Sequence, residues 1–501
     1  MMAQAWNRMR GTRPQGYQYA PLPWAEKEPL PYTTRTRQDA RPWWTPAVRS
    51  ALVMGIVVGV SAIAVFFYVL TSNICDTIDQ GYICHPHTMH FLGQYSPWYA
   101  VPSEVGLALP KDCHVTFANV LSRHGGRDPT MGKSIAYHLL IMEIQRTSTA
   151  YPGEFAFLKD YHYTLGADQL THAGRREMVL SGAHFYRRYH SLVSRNPPFV
   201  RSGGQDRVVE SAERWLEGVA SLQANNKPRK IDLIIPEGPR WNNTLSHDIC
   251  TAFESGPSHG LGARAMRIWA SKFVPPIQKR VNAALGTELS QTSIIHLMDM
   301  CPFDTIADPH ASMSNFCRLF TEKEWQAYDY LQTLGKYYGY GAGNPLGPTQ
   351  GVGYVNELLA RLTGLAVDDH TNTNRTLDSD PQTFPLDRRV YADFSHDNDI
   401  SSVLAALGLY NRTRPLSNTT IENTAETFGY SAAWTVPFAA RLYVEKLQCK
   451  RESEYVRVIV NDRVHPLEFC GGDKYGRCTL SSFVRSQSFA RSGGLWDQCY
   501  A

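Results

Sequence analysis

The sequence predicts an α/β sheet domain that is interrupted by a mostly helical insertion and preceded by one transmembrane helix. Strand-like runs lie near both ends of residues 72–501, and the middle of that range is rich in helical patterns. An uncharged run of twenty residues, 51–70, comes before this range. A chain of 501 residues is long enough for two or three structural units.

The uncharged run, ALVMGIVVGVSAIAVFFYVL, can cross the roughly 30 Å hydrocarbon core of a bilayer as a helix. The apolar core of a secretory signal peptide is shorter and lies near the chain start, whereas about fifty residues precede this run. Arginines stand before it at positions 35, 37, 41 and 49, and Lys111 is the first basic residue after it. The positive-inside rule therefore predicts a signal-anchor helix over 49–71, a cytosolic tail over 1–48 and a lumenal or extracellular body.

Two other interpretations of the run stay open. A buried core helix would also be uncharged, and initiation at Met54 would turn the run into something closer to a signal peptide. If the anchor is cleaved, the body is secreted. The tail 1–48 is rich in Pro, Arg and Tyr without a sustained apolar period, which is typical of disorder.

The net charge of +4 is concentrated in the tail. Residues 1–49 hold eight Lys or Arg against three Asp or Glu, and the remainder holds 42 against 43. The body is therefore close to neutral, and its sequence carries no basic stripe or recognition motif. We do not expect it to bind nucleic acid.

The cysteines and glycosylation sequons all follow the uncharged run. An even number of cysteines on one side of a membrane indicates disulfides in an oxidising compartment, and the absence of CxxC pairs argues against a zinc ribbon. The ten cysteines are Cys75, Cys84, Cys113, Cys250, Cys301, Cys317, Cys449, Cys470, Cys478 and Cys499. The sequons begin at Asn242, Asn374, Asn411 and Asn418. Together they predict a lumenal or extracellular glycoprotein.

The elements of the body follow from hydrophobic periodicity. A short apolar run over 114–121 predicts a buried strand after a Pro- and Gly-rich segment. Helices are predicted at 134–147, 171–193 with Thr171 as N-cap, 207–223, 323–337 and 350–363. Further strands are predicted at Ile231–Ile235, Val390–Phe394, Leu442–Lys446 and Val456–Val460. We place the sheet domain at about 72–133 and 340–501 and the helical insertion at about 134–339.

The first strand leads into Arg123-His124-Gly125-x-Arg127-x-Pro129. Neighbouring cations disfavour the imidazolium form, so a histidine between two arginines suits a neutral ring that attacks an anion. The arginines can hold phosphate oxygens through paired N–H donors, and Gly125 lets the backbone come close to the bound group. An isolated Arg-His-Gly is more often an exposed polar turn. The full seven-residue pattern at a strand end favours a phosphate site.

A second pair of polar residues, His396-Asp397, follows another strand-like run about 270 residues later. The histidine can add a phosphate ligand, and the aspartic acid can donate a proton to an alkoxide, which is a poor leaving group. A positioned acid of this kind contributes roughly 10²–10⁴-fold. A His-Asp dipeptide carries weight only as the partner of the first motif.

On these motifs the chain resembles the histidine acid phosphatases, most closely the fungal phytases of the 3-phytase type. That family carries RHGxRxP near its start and a His-Asp pair near its end. The resemblance runs from about Cys75 to Ala501 and includes the segments 75–84, 341–354 and 434–438. It implies a central mixed sheet flanked by helices, as in phosphoglycerate mutases, and hydrolysis of phosphomonoesters at acidic pH, with phytate as a plausible substrate.

The resemblance also implies residue roles. His124 would attack phosphorus and carry a phosphohistidine that water hydrolyses, and Asp397 would protonate the leaving oxygen. The phosphoryl oxygens would be bound by Arg123, Arg127, Arg201 and His396, with Thr130 as a weaker candidate. No metal or cofactor is implied. The expected partners are a small phosphomonoester and, through 51–70, a membrane, with the body acting as a monomer.

Spacing alone leaves many cysteine pairings open. The family's pattern implies Cys75–Cys84, Cys113–Cys449, Cys250–Cys499, Cys301–Cys317 and Cys470–Cys478.

Two departures from the family concern the substrate. The phytases have a lysine-rich stretch after the first motif, whereas 131–136 contains Lys133 alone and 308–315 contains no lysine. A pocket with few cations binds a polyphosphate less tightly, so broad phosphomonoesterase activity fits as well as phytate hydrolysis. Asp128 stands where an aromatic residue is familiar in these phytases. Its carboxylate either weakens anion binding or points to solvent.

Two other functions compete with the phosphatase interpretation. A mutase-like phosphotransferase would share the Arg-His-Gly start, but the disulfide framework and Asp397 favour hydrolysis. A catalytically silent binding protein on the same scaffold would not be expected to keep the whole set intact, which is His124, Arg123, Arg127, Arg201, His396 and Asp397.

Overall fold

The computed structural model describes residue 54 and residues 75–224, 226–449 and 453–500. The predicted tail and anchor therefore lie outside the described residues, with the exception of Met54. Among the helices that are described, none has both the length and the hydropathy needed to cross a membrane.

A mixed sheet lies at the centre of the described chain. Its strands are β1 (Cys113–Arg123), β2 (Phe199–Gly203), β3 (Leu233–Ile235), β4 (Val390–Ser395), β5 (Arg441–Cys449), β6 (Glu454–Val460), β7 (Arg463–Val464) and β8 (Arg477–Thr479). Their order is β3-β2-β4-β1-β5-β6-β7, and β8 pairs with β6 outside this order. Strands β1 to β4 run parallel to one another, whereas β5 to β8 pair antiparallel with their neighbours. The predicted mixed sheet is confirmed.

The helices cover both faces of the sheet and form most of the segment between β3 and β4. They are α1 (Pro86–Met89), α2 (Met131–Thr147), α3 (His172–Arg188), α4 (His190–Val193), α5 (Asp206–Ala220), α6 (Thr251–Ser255), α7 (Leu261–Leu285), α8 (Gln291–Ala307), α9 (Glu322–Gly339), α10 (Gly347–Gln350), α11 (Val352–Thr363), α12 (Arg375–Asp378), α13 (Asp397–Ala406), α14 (Ala432–Thr435), α15 (Leu480–Ser486) and α16 (Ser488–Arg491). Short 3₁₀ turns lie at Ile78–Gln80, Gly93–Tyr95, Gly153–Lys159, Asn315–Leu319, Glu468–Cys470 and Trp496–Tyr500.

The helix predictions hold within a few residues, with two informative exceptions. The predicted helix 171–193 breaks into α3 and α4 at Tyr189, whose φ of −112° is not helical. The predicted N-cap is confirmed, since the Thr171 side chain accepts a bond from the Gly174 N–H. Helices α7 and α8 were not predicted. Both contain prolines, Pro275 and Pro276 in α7 and Pro302 in α8, which normally end a helix.

Alternating side chains of β1 enter two different apolar cores. Phe117 and Leu121 pack on one face with residues of α11 and α13. Ala118 and Val120 pack on the other face with residues of α3 and α5. Because both faces of the sheet are covered, the sequence of β1 is a continuous apolar run and does not alternate between apolar and polar residues.

A third core joins α2 with α7, α8 and α9, and it holds the helix-rich part of the chain together. Strands β2 and β3 also come from the range 134–339, which we expected to form the helical insertion, and they complete one edge of the sheet. Strand β2 was not predicted from the sequence, because a buried arginine, Arg201, interrupts its apolar pattern.

That arginine belongs to a buried ion cluster beneath the sheet. Its Nε lies 2.8 Å from Asp393 Oδ1, and its Nη2 lies 2.5 Å from Glu357 Oε2. Arg361 Nη1 lies 2.5 Å from Asp393 Oδ2. Two guanidinium groups and two carboxylates therefore neutralise one another where water is excluded.

All five disulfides implied by the resemblance are present. They join Cys75 to Cys84, Cys113 to Cys449, Cys250 to Cys499, Cys301 to Cys317 and Cys470 to Cys478. Cys113 and Cys449 face each other across the antiparallel pair β1–β5. This bond closes a loop that contains most of the body.

Candidate active site

The two sequence motifs meet because β1 and β4 are parallel neighbours. In their register Arg123 lies beside Ser395, and the His124 N–H donates to the Ser395 carbonyl at 3.1 Å. Parallel strands end at the same edge of a sheet, so residues that follow each strand converge there. His124, His396 and Asp397 therefore share one cleft, as predicted from the sequence.

His124 is buried, and its side chain has a defined tautomer. The ring Nδ1 lies 2.8 Å from the Gly125 carbonyl oxygen, which can only accept. Nδ1 therefore carries the hydrogen, and Nε2 keeps a free electron pair. Burial holds the pKa of His124 well below its usual value, and the charges of Arg123 and Arg127 lower it further. The geometry gives a neutral imidazole with one nucleophilic nitrogen.

Gly125 is required by packing against a neighbouring helix. A Cβ at this position would lie 2.3 Å from the Gly174 carbonyl oxygen in the first turn of α3. The sequence predicted a close approach of this backbone to a bound group, whereas the close approach observed is between two backbones. It fixes the motif turn on α3.

The guanidinium of Arg123 is buried beside the nucleophile. Its Nη1 donates to the carbonyls of Gln94 and Val436, the latter at 2.8 Å. Its Nη2 lies 3.5 Å from Asp397 Oδ2. Burial lowers the pKa of Arg123 to about 10. Within the described residues its Nε and Nη2 have no hydrogen-bond acceptor, so they can donate to a bound anion in addition to the ion pair with Asp397.

Arg127 supplies a second buried cation. Its Nη1 donates to the Asp128 carbonyl at 2.7 Å, and its Nε finds no acceptor in the described part of the chain. Both arginines of the motif thus have buried N–H groups without an acceptor, and both lie close enough to His124 to lower its pKa. Such groups are satisfied by an oxyanion.

Arg201 does not belong to this cleft, which corrects the prediction that it binds phosphate. Its guanidinium is occupied by Asp393 and Glu357 and lies 5.3 Å from the ring of Phe384. Side chains alternate along a strand, and position 201 in β2 directs its side chain into the ion cluster. Its donors are taken by two carboxylates, so its role is structural.

Arg207 is the arginine that the sequence analysis missed. It lies in the first turn of α5, past the carboxyl end of β2 and therefore at the cleft edge. Its charge is among those that lower the pKa of His124, and burial and the charge of Arg127 lower its own pKa. Its Nε has no acceptor among the described residues. No local motif marks it, because Arg207 reaches the site through the placement of α5 in the fold.

His396 is held by a carboxylate that was not predicted either. Its Nε2 lies 3.1 Å and 3.2 Å from the two carboxylate oxygens of Glu237, which follows β3. A carboxylate accepts, so Nε2 carries a hydrogen and Nδ1 remains for another partner. The rings of His396 and His124 lie 5.6 Å apart. Glu237 thus orients His396 beside the nucleophile.

Asp397 faces two cations. Lys336 Nζ lies 2.5 Å from its Oδ2, and Arg123 lies on the same side. Burial favours the neutral acid, but Arg123 and Lys336 outweigh it and hold the pKa of Asp397 well below its usual range. Lys336 belongs to no sequence motif, and only the position of α9 in the fold brings it to Asp397.

The other predicted positions lie at the margin. Thr130 is exposed at the N-cap position of α2, and its side chain makes no capping bond. Lys133 Nζ lies 2.9 Å from the buried Asp299, so its charge is neutralised. The Asp128 carboxylate accepts from the Gly166 N–H at 3.1 Å. Asp128 therefore turns toward a neighbouring loop.

Comparisons with known proteins agree with this site. The family model of the histidine phosphatase superfamily (branch 2) matches residues 114–461. The chain is 51% identical to Phytase A of Emericella nidulans over 86% of this chain and 95% of that protein. It is 50% identical to Phytase A of Aspergillus fumigatus over 86% of this chain and 94% of the relative.

Solved structures show the same fold. The phytase from D. castellii superposes with a TM-score of 0.68 at 21% identity, covering 82% of this chain and 88% of that one. A multiple inositol polyphosphate phosphatase from Bifidobacterium longum gives a TM-score of 0.52 at 14% identity, covering 78% and 96%. With the matched family model and the phytase relatives, these findings show that the chain belongs to branch 2 of the histidine phosphatase superfamily.

Proposed function

We propose that this protein hydrolyses phosphomonoesters, phytate among them, through a phosphohistidine on His124. The observation that carries the proposal is the free Nε2 of His124 in a cleft where buried arginines direct unsatisfied N–H groups. The cleft therefore combines a nucleophile with a preformed site for the phosphoryl oxygens.

In the first step Nε2 of His124 attacks phosphorus. The bond from nitrogen to phosphorus forms as the bond from phosphorus to the ester oxygen breaks, and Asp397 gives its proton to that oxygen. Arg123, Arg127, Arg207 and His396 stabilise the charge on the non-bridging oxygens, and Thr130 at the start of α2 remains a candidate for the same set. In the second step water attacks phosphorus, the bond from phosphorus to Nε2 of His124 breaks, Asp397 takes up the proton of the water, and phosphate leaves.

The charge balance of the cleft explains how Asp397 acts as an acid. In the free site Arg123 and Lys336 favour its ionised form. A bound phosphate group brings negative charge to the same cations, which raises the proton affinity of Asp397. Substrate binding and donor protonation are thus coupled, and acidic pH favours both.

Phytate as a substrate is supported by the relatives named Phytase A, at about half identity over most of the chain. The contacts of Lys133 favour a broader range, because Asp299 neutralises the one lysine retained after the motif. We infer a phosphomonoesterase that accepts phytate without the strong preference for polyphosphates that a lysine-rich rim would give.

We also propose that residues 49–71 anchor the body 72–501, with 1–48 in the cytosol and the catalytic cleft in a lumen or outside the cell. The support is the sequence of the run and the disulfides, which form in oxidising compartments.

The phosphatase activity is tested by phosphate release from phytate, an aryl phosphate and a sugar phosphate between acidic and neutral pH. We expect the full chain to hydrolyse all three and His124→Ala to lose about 10³-fold or more, because no other group in the cleft replaces the nucleophile. The exposed His310 provides a control, and His310→Ala should keep full activity. A well-folded chain that releases no phosphate from any of the three would favour the silent binding protein.

The two arginines of β2 and α5 should behave differently. Arg207→Ala should lower kcat/KM by about 10²-fold and leave thermal unfolding unchanged, because it removes a donor to the developing charge. Arg201→Ala should lower the free energy of unfolding by about 3–5 kcal/mol, since two buried carboxylates lose a partner. Steady-state kinetics and denaturant unfolding measure both. A stable Arg201→Ala protein with impaired phosphate binding would reverse the assignment.

Lys336→Met should shift the pH dependence of kcat/KM. Lys336 lowers the pKa of Asp397, so its removal raises that pKa, and the protonated donor persists to higher pH. The falling limb of the profile should therefore move toward neutral pH. Lys323→Met, an exposed lysine of the same helix, is the matched control. An unchanged or acid-shifted limb in Lys336→Met would show that Asp397 does not set it.

The anchor is tested by washing membranes of expressing cells with alkaline carbonate and by labelling intact cells or sealed vesicles with a membrane-impermeant reagent. We expect the full chain to stay in the pellet and the body to be protected from the cytosolic side. Release into the wash, or labelling of the body from the cytosol, would contradict the proposed topology.

A further inference from the structure

Helix α2 exposes a line of large apolar side chains. Met131, Ile135, Leu139 and Met142 are exposed by 40%, 54%, 58% and 54%. Their spacing of four, four and three residues places them on one side of the helix, one above the other. We call these four side chains the α2 stripe.

The fold does not need the α2 stripe for its core. The opposite side of α2 already buries Tyr137, Leu140, Ile141 and Ile144. Single exposed apolar residues are ordinary, but four in a continuous line on one helix mark a contact surface. A helix that is apolar on two opposite sides is favoured when the protein core covers one side and a binding partner covers the other.

The position of the α2 stripe connects it with the catalytic cleft. Met131 is the first residue of α2 and follows the motif Arg123–Pro129 and the N-cap residue Thr130. A surface covered by the α2 stripe is therefore brought next to the cleft.

The exposed charged or titratable side chains beside the α2 stripe are basic, and one half-buried carboxylate lies at its edge. The exposed residues of α2 include Arg146 and His138, and the half-buried Glu143 follows Leu139 by one turn. In helical projection Arg146 falls among the apolar side chains, and His138 falls at their edge. Apolar side chains together with basic ones are the composition of helices that lie on anionic lipid surfaces.

The length of chain before the body supports a lipid occupant. Only residues 71–74 separate the uncharged run 51–70 from Cys75, where the described body begins. Such a connection spans at most about 18 Å. If 51–70 crosses the membrane, this short connection keeps the body close to the lipid surface.

We propose that the α2 stripe is a lipid-docking surface that places the catalytic cleft against an anionic bilayer and gives it phosphomonoesters carried on lipids. The docking surface rests on the proposed anchor, and its substrate class rests on the proposed phosphatase function. The anchor, the docking surface and the phosphatase function each have a separate test.

Docking is measured on the full chain reconstituted in vesicles of phosphatidylcholine with phosphatidylserine. All ten cysteines are paired in five disulfides, so Leu139→Cys introduces a single thiol for a polarity-sensitive fluorophore. We expect a blue-shifted emission that a nitroxide-labelled lipid quenches. Leu365→Cys is the matched control, because Leu365 is 68% exposed beyond the end of α11, and its label should stay unquenched.

Equal emission and equal lack of quenching at both positions would overturn the proposal. A blue shift at position 139 that lipid nitroxide does not quench, and that grows with protein density in the vesicles, would also overturn it in favour of a second copy of the chain. Quenching at position 139 that survives Ile135→Glu would show that the label itself inserts, and the docking claim would fail.

Substrate delivery is measured with Ile135→Ser combined with Leu139→Ser. Hydrolysis of a phosphatidic acid in the same vesicles should fall about tenfold, because two apolar contacts with lipid are lost, whereas hydrolysis of a soluble aryl phosphate should change less than about twofold. Equal rates on the lipid substrate, or equal losses on both substrates, would contradict the role of the α2 stripe. A wild-type chain inactive on the aryl phosphate would instead refute the proposed function.

Discussion

The site depends on positive charge that is buried and only partly paired with anions. Arg123 is fully buried, and two of its nitrogens have no acceptor among the described residues, while Arg127 contributes one more. Leaving such groups unpaired in a dry cleft costs free energy. The same cost makes the cleft a strong receptor for a phosphate group. Burial and the charges of Arg123 and Arg127 keep the His124 imidazole neutral, as a nucleophile must be.

The fold supports that charge at the edge of a rigid sheet. The turn that carries His124 is pressed against α3 at Gly125 and Gly174, and its backbone is tied to Ser395 of the neighbouring strand. Beneath the sheet Arg201 and Arg361 both form ion pairs with buried carboxylates. The chain therefore contains two clusters of buried arginines, one neutralised and structural, the other incompletely paired and open to an anion.

Sequence patterns predicted the features that depend on residues close together in the chain. The strand before His124, the N-cap at Thr171 and the two motifs follow from periodicity and residue chemistry, and the structure places His124, His396 and Asp397 together. The disulfide pairing came from the family resemblance, because spacing does not determine it. Arg201 was misassigned since a sequence does not show on which side of β2 its side chain lies, and both sides of that strand are buried. Arg207, Glu237 and Lys336 reach the cleft through tertiary contacts of α5, the loop after β3 and α9, which have no local signature.

The central claim is that phosphate passes through a covalent bond to Nε2 of His124. Rapid acid-free quenching of the full chain during turnover of an aryl phosphate, followed by phosphorus NMR and peptide mass spectrometry, measures it directly. The geometry predicts an acid-labile phosphohistidine on Nε2 of His124, because Nδ1 donates to the Gly125 carbonyl. Phosphate on Nδ1 or on His396, or turnover without any phosphorylated protein under conditions that trap the intermediate, would contradict it.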